Sequence, residues 1–289
     1  MSAVEQASTH GEEREFEFSR RDFERVRSLI HARAGISLNP SKQNMVYSRL
    51  SRRLRALGAQ SFAEYLDRLE RSADGEWQNF VNSLPTNLTA FFREPHHFPV
   101  LGELLKSRPA DSHNPIVLWC SAASTGEEPY SMAMQAVETF GTTTPPVRIL
   151  ATDIDTAVLE TARRGVYTTE ALERVDPQRV KRHFMRGTGA NAGMARVRPE
   201  LQAMVSFRRL NLLERDWQIG RGFDAIFCRN VMIYFEKDTQ RGILERFAPL
   251  LQPWGLLFAG HSENFSQARD LFTLRGKTVY RLATASERS

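Results

Sequence analysis

The stretch LWCSAASTGEEPYSMAM, Leu118 to Met134, reads as an apolar strand, a turn of small residues and then a helix. In an alternating α/β chain, that junction is where backbone amides at a helix start normally cradle a phosphate. Here the turn closes on two adjacent acids, Glu127 and Glu128, and carries one glycine, Gly126, in place of G-x-G-x-x-G. A pyrophosphate at this turn would be repelled by both acids in a partly desolvated site, whereas a positively charged ligand would not. Either acid also has a plain structural reading, because acids suit the first turn of a helix.

The next apolar run ends in ATDID, and Asp153 follows Gly126 by 27 residues (153 − 126). At about that offset a carboxylate meets ribose hydroxyls in nucleotide folds. Asp153 and Asp155 each have the alternative of capping the following helix. S-adenosylmethionine (SAM) has a ribose, an adenine, a sulfonium and an ammonium, with one carboxylate and no phosphate. It suits two acidic strand ends better than NAD does.

Working outward, PIVLWCS, VRILATDI, FDAIFCRN and GLLFAGH are near-continuous apolar runs. PYSMAMQAVETF, TAVLETARRG and DTQRGILERFAPLL carry helical spacing between them. This alternation predicts an α/β fold, a doubly wound and mainly parallel sheet whose strands are buried on both faces. Between Tyr167 and Asn211 the rhythm breaks. A glycine-rich turn, RGTGANAG, separates short stretches of alternating character. Of these, MARVR and VSFRRL read as strands of a small antiparallel β-subdomain inserted at about residues 180–208.

Upstream the spacing is helical. Phe23, Val26, Leu29 and Ile30 form a stripe that Gly35 closes, and after Pro40 a second stripe holds Val46, Leu50, Leu54 and Leu57. Arg49, Arg52 and Arg53 share the opposite side of that second helix, with Arg55 further round. SFAE (Ser61–Glu64) is a capping box opening a helix with Tyr65, Leu66 and Leu69; Trp77, Phe80, Val81 and Leu84 then precede Pro85. The expected organisation is a flexible leader (1–18), an N-terminal helical domain (19–88), an α/β domain (89–283) carrying the insert, and a flexible tail (284–289).

Hydrophobic residues are 41% and charged residues 25% of the 289, ordinary for a soluble globular chain. Neither a signal peptide nor a bilayer-spanning apolar run is legible. Cys120 and Cys228 lie inside apolar runs and read as buried thiols of a reducing cytoplasm, on strands that the fold sets side by side. The net charge of +5 permits an acidic partner without identifying one.

NLTAFFREPHHFP, AASTGEEPYS, TDIDT, FDAIFCRNVMIYF and LLFAGHSENF closely resemble the motifs of CheR-type chemotaxis receptor glutamate O-methyltransferases, in order and over roughly residues 19–282. The resemblance implies a Rossmann-like SAM methyltransferase fold and SAM-dependent esterification of glutamates on the cytoplasmic helices of chemotaxis receptors, with S-adenosylhomocysteine as product. It implies Asn87, Thr89, Arg93, Glu128, Asp153, Asn211, Leu212, Arg229 and Asn230 as cofactor contacts, with Arg93 and Tyr234 assisting catalysis. No general base is needed, because a glutamate of pKa about 4.3 is already ionised. What remains is in-line positioning of a carboxylate oxygen.

With the resemblance, Arg49, Arg52, Arg53 and Arg55 become the face that docks acidic receptor helices. The β-subdomain becomes a candidate tether for a receptor C-terminal peptide by strand addition. The chain is expected to be a monomer, cytoplasmic and recruited to membrane receptor arrays, without nucleic acid, membrane insertion or metal. Adjacent His96 and His97 should point apart on a helix, which disfavours a metal site. His261 and Glu263 follow a strand, with site-lining and structural roles both open. The rival readings are a SAM-dependent methyltransferase acting on nucleic acid or another protein, and a non-catalytic SAM-sensing module that docks receptors. A nicotinamide oxidoreductase is weakest, because of the acidic turn.

Overall fold

A computed structural model describes residues 14–71, 75–109, 111 and 113–284. Residues 1–13 of the expected leader and 285–289 of the expected tail lie outside the described residues. Four helices come first: α1 (Arg20–Ala34), α2 (Gln43–Leu57), α3 (Phe62–Arg71) and α4 (Glu76–Ser83). Ser19 and Asp22 form a reciprocal capping box at the start of α1, and Gly35, at φ 68°, ends it with its N–H on the His31 carbonyl. A side chain at Gly35 would also collide with Leu213 at 2.8 Å, so the turn requires glycine twice over. At α3 the Ser61 hydroxyl accepts from the Glu64 N–H, and the Glu64 carboxylate reaches back to the Gln60 N–H rather than to that of Ser61. Val26, Ile30, Val46, Leu50, Leu54, Tyr65, Leu66 and Phe80 meet in one apolar core.

After α5 (His97–Lys106) the order is β1 (Ile116–Cys120), α6 (Glu127–Phe140), β2 (Val147–Asp153), α7 (Thr156–Arg164) and β3 (Val166–Thr168). Then come α8 (Pro177–His183), β4 (Phe184–Arg186), β5 (Met194–Val197), α9 (Pro199–Gln202) and β6 (Val205–Arg209). The chain closes with β7 (Phe223–Cys228), α10 (Lys237–Phe247), β8 (Leu251–Ala259), β9 (Phe272–Gly276) and β10 (Val279–Leu282). The main sheet runs β6-β2-β1-β7-β8-β10-β9, parallel from β6 to β8, with β10 antiparallel to both its neighbours.

Both faces are buried, as the apolar strands require. Leu118, Cys120, Ala225 and Phe227 pack with α5, α6 and the appendage, while Trp119, Ile226 and Cys228 pack with α10 on the other face. β1 and β7 are neighbours, yet the two thiols lie on opposite faces of the sheet and both are free.

The appendage is a three-stranded antiparallel sheet, β3-β5-β4. MARV belongs to it, but VSFRR does not: it is β6, the parallel edge of the main sheet, with Val205 in register with Ile149. The antiparallel insert therefore begins at β3 and ends at β5, earlier at both ends than 180–208. Alternation at Val205 and Phe207 marks a half-covered strand and carries no information about which strand it pairs with.

Candidate active site

The strand order reverses about β1, which connects to β2 on one side and neighbours β7 on the other. At this switch point the carboxyl ends of β1, β2 and β7 open into a cleft. The helical domain supplies its other wall, through Ala34 at the end of α1, Ile36 just after it and the segment 85–89 after α4. All ten expected residues, Asn87, Thr89, Arg93, Glu128, Asp153, Asn211, Leu212, Arg229, Asn230 and Tyr234, line this one cleft.

The turn after β1 is held by its own backbone. Thr152 accepts from the Trp119 indole at 3.0 Å and donates to the Ser121 carbonyl at 3.2 Å, and Ala123 N–H bonds the Thr152 carbonyl. Gly126 sits at φ 101°, where an added Cβ would lie 2.7 Å from the Tyr167 hydroxyl. Asp153 accepts from Ser124 N–H at 2.8 Å and from Asp155 N–H at 2.9 Å, one bond to each oxygen. Each oxygen keeps a lone pair for a further donor. Burial pushes this carboxyl up to about 6, against the pull of those amides. Asp155 caps α7 through Ala157 and Val158, and its second oxygen accepts from the Asn87 amide at 2.9 Å. Asn211 donates to the Arg33 carbonyl at 3.0 Å, tying the end of α1 to the cleft.

Glu127 turns away from the cleft and takes the Thr125 hydroxyl at 2.7 Å. Glu128 faces inward. Its carboxylate lies 2.6 Å from Arg229 Nη1 and accepts from the Cys120 thiol at 3.2 Å. Burial pushes the Glu128 carboxyl up, and Arg229 opposes that rise. The other face of the guanidinium lies 3.4 Å from Glu94, and Nη2 also bonds the Arg93 carbonyl. For Glu94, burial raises the carboxyl but Arg229 and the His261 amide outweigh it, so the net shift is downward. Two carboxylates thus share one guanidinium, and of the two Glu128 lines the cleft.

Glu94 is a residue that the sequence reading missed, and Glu263 one whose role it left open between lining the site and supporting it. Glu94 was hidden in a run of aromatics, although it is an acid beside the recognised Arg93. Glu263 collects the backbone N–H groups of Asn230, Val231 and Met232 at 3.0, 2.9 and 2.8 Å, fixing the loop after β7; its one signal was a carboxylate just past a strand end. Asn230, Ser124 and Glu94 hold φ of 57°, 48° and 53°, so left-handed non-glycine backbone gathers at this cleft.

The histidines correct the expectation that they point apart. His96 lies just before α5 rather than within it, and the two rings meet at 4.3 Å with both Nε2 atoms 3.3 Å from the Lys277 carbonyl. Glu94, His96 and His97 bring ligand-type atoms within 4.8 Å of one another, but Glu94 already faces the guanidinium of Arg229. His97 is fully buried, which, with Arg229 nearby, lowers it to about 4 and keeps it neutral.

The four arginines of α2 divide. Arg53 grips Glu76 at 3.0 and 2.5 Å and fastens α2 to α4, so its charge is spent internally. Arg49 donates to the carbonyls of Leu84 and Pro85 beside the cleft, Arg55 pairs with Glu15 at the surface, and Arg52 is exposed.

The lining fits SAM: Asp153 for ribose hydroxyls, Ile36, Ile154 and Leu212 for an apolar ring, and the inward-facing Glu128 carboxylate for a cation. Comparison with known proteins agrees. A family model described as the CheR methyltransferase SAM binding domain matches residues 87–281, and one described as the CheR methyltransferase all-alpha domain matches residues 21–85. The chain is 57% identical over 266 residues to chemotaxis protein methyltransferase 2 of Pseudomonas aeruginosa, covering 92% of this chain and 94% of that one. It is 55% identical over 262 residues to the chemotaxis protein methyltransferase of Escherichia coli K12, covering 90% of each. The acidic turn, the paired carboxylates and both matched domains place the chain in the CheR methyltransferase family, as a SAM-dependent methyltransferase.

Proposed function

We propose that this chain forms methyl esters on glutamate side chains of chemotaxis receptor cytoplasmic helices. The observation that carries the reading is the composition of the cleft, which Arg93 and Tyr234 line together with the carboxylates of Glu128 and Asp153. The bound SAM supplies an electrophilic methyl group on a sulfonium. Every other requirement falls on the chain. Asp153 takes the ribose, Glu128 faces the cationic end, and the apolar walls exclude water. Arg93, with Nη1 on the Leu88 carbonyl at 2.9 Å, steers the acceptor carboxylate while its remaining N–H groups stay available. The Tyr234 hydroxyl makes a long 3.4 Å bond to the Thr86 carbonyl, weak enough to be redirected to the acceptor oxygen. Burial raises the phenol, so it remains a donor. A loose grip suits the reaction, since tight pairing in the ground state would slow transfer.

In this reading residues 19–88 dock the acceptor and residues 89–283 carry the chemistry. Arg49, Arg52 and Arg55 attract acidic receptor helices. The free edges β3 and β4 of the small sheet offer strand addition to a receptor tail. The chain acts as a cytoplasmic monomer at receptor arrays; no helix among the described residues is long and apolar enough to cross a membrane.

The test is incubation with methyl-labelled SAM and receptor cytoplasmic fragments, followed by mild alkali. Label on receptor glutamates, released as methanol, is the expected result. No label on any fragment, with SAM binding demonstrated in the same sample, overturns the assignment of substrate.

A further inference from the structure

We propose that Gln240, on the buried face of α10, is a positioning residue for Tyr234 and fixes the turn from which the phenol reaches the acceptor. This rests on the role given to Tyr234 above. The buried residues of α10 are Gln240, Ile243, Leu244 and Phe247, one stripe at helical spacing. The last three join the apolar core under the sheet, but the first is an amide. An amide is costly to bury unless its hydrogen bonds are made.

All of them are made. Gln240 Nε2 donates to the Met232 carbonyl at 2.9 Å and to the Phe235 carbonyl at 3.0 Å, the two that flank Tyr234. Its Oε1 accepts from Gln267 Nε2 at 3.0 Å and from Lys237 Nζ at 3.3 Å. Carbonyls on one side and donors on the other leave this amide a single orientation.

Met232–Tyr234 is a single turn of 3-10 helix, and two other groups hold it. Glu263 takes the N–H groups of Val231 and Met232, and the Ser37 N–H donates to the Tyr234 carbonyl at 2.9 Å. Glu263 also fixes Asn230, which lines the cofactor cleft, and the Ser37 bond is one of backbone. Gln240 lies outside the cleft lining, and both its donors go to this turn. The phenol itself has only its long bond to the Thr86 carbonyl and the packing of its ring on the helical-domain core. Where the hydroxyl sits is therefore decided largely by the backbone beneath it. A misplacement of about 1 Å at a group that must meet the acceptor oxygen can cost up to about a hundredfold in rate.

The test measures kcat, at saturating SAM and acceptor, for Gln240→Met, Tyr234→Phe and the double variant on a receptor fragment. Methionine keeps the length of the side chain and removes both donors. Gln240→Met should lower kcat roughly threefold to tenfold in the wild-type chain, and less than about twofold where Tyr234 is already Phe. A residue that only supports the fold would lower kcat equally in both backgrounds. That result, or an unchanged kcat, overturns the proposal. If the methionine variant does not fold, Gln267→Leu loosens the Gln240 amide and leaves its donors in place. A kcat loss that vanishes in the Tyr234→Phe background then supports the proposal, and no loss, or an equal loss in both, overturns it. Wild-type kcat in Tyr234→Phe alone overturns the role of Tyr234, and failure of the wild-type chain to methylate any fragment overturns the acceptor assignment; either removes the reading on which the proposal rests.

Discussion

Replacing Arg229 by methionine would remove the cation between Glu94 and Glu128 while keeping most of the side-chain volume. Arg229 is 1% exposed, and both carboxylate side chains are 11% exposed. Removing one partner of a buried pair costs about 3–5 kcal/mol, because a buried charge is left without compensation. Here two acids are left, so part of that loss is relieved when one takes a proton. Glu128 should be the one: burial already pushes its carboxyl up, and Arg229 is the largest opposing influence. The sign follows from linkage. With the folded pKa of Glu128 raised above the unfolded one, the folded variant binds more protons between those two values, and its stability falls as pH rises through that window. The deficit of the variant should therefore be larger at a pH well above the ordinary carboxylate range than at one close to it. Urea unfolding followed by tryptophan fluorescence at both pH values measures it, with the slope of the transition checked for constancy. Adding Glu128→Gln should restore more than half of the loss, since it removes one of the two uncompensated acids. A loss below about 1 kcal/mol at the higher pH, or the same loss at both, would show that no buried ion pair of this strength exists.

Ribose hydroxyls and a cationic ligand both favour the ionised form of Asp153, whose carboxyl burial pushes up to about 6. SAM affinity, measured by calorimetry, should therefore drop as pH falls through about 6, and Asp153→Asn should be weaker and flatter with pH. In the ligand-free chain the same raised carboxyl acts oppositely on stability, whose Asp153 contribution falls as pH rises from its ordinary range to about 6. Arg93→Ala should lower kcat/KM for the receptor fragment roughly tenfold to hundredfold, and Tyr234→Phe less; wild-type turnover at normal SAM affinity would remove both from the mechanism. Raising salt should increase the acceptor KM steeply, and Arg52→Ala should flatten that dependence. Arg53→Ala should instead lower the unfolding midpoint, because it removes the cation paired with the buried Glu76 carboxylate. His97, lowered to about 4, contributes stability that is present above its ordinary range and lost as pH falls toward 4; His97→Phe should make the thermal midpoint less acid-sensitive.

The α/β core was legible because strands such as FDAIFC, buried at every position, cannot be anything but central. The cleft was legible because its residues sit at strand ends, where a parallel sheet places its ligands. What escaped depends on partners distant in sequence. VSFRR alternates as any half-covered strand does, and its parallel pairing with β2 is decided by the whole sheet. Arg53 looked like its neighbours Arg49 and Arg52, since the buried Glu76 that claims it lies 23 residues on in another helix. His96 and His97 were judged as two helical positions, but His96 precedes the helix, and that boundary turns its ring onto its neighbour. For Glu263 a site-lining and a structural role were both open, and only the folded loop brings three backbone amides to it.

The two acids of the turn had seemed to ask one question, and the structure separates them. Glu127 is occupied by the Thr125 hydroxyl at the start of α6 and makes no demand on a ligand. Glu128 would be costly to bury alone, and Arg229 compensates it; but Arg229 alone would neutralise the site and leave no reason for a cation to enter. Glu94 is the missing element. Drawn onto the same guanidinium, it places two buried acids on one cation, and the loops around such a cluster must be held. That is the use of Glu263, which binds three successive amides and holds Asn230 in a left-handed conformation, and of Asn230, whose amide reaches Glu94 at 3.4 Å. Left-handed backbone at Glu94 and Asn230 accompanies this network of fixed donors.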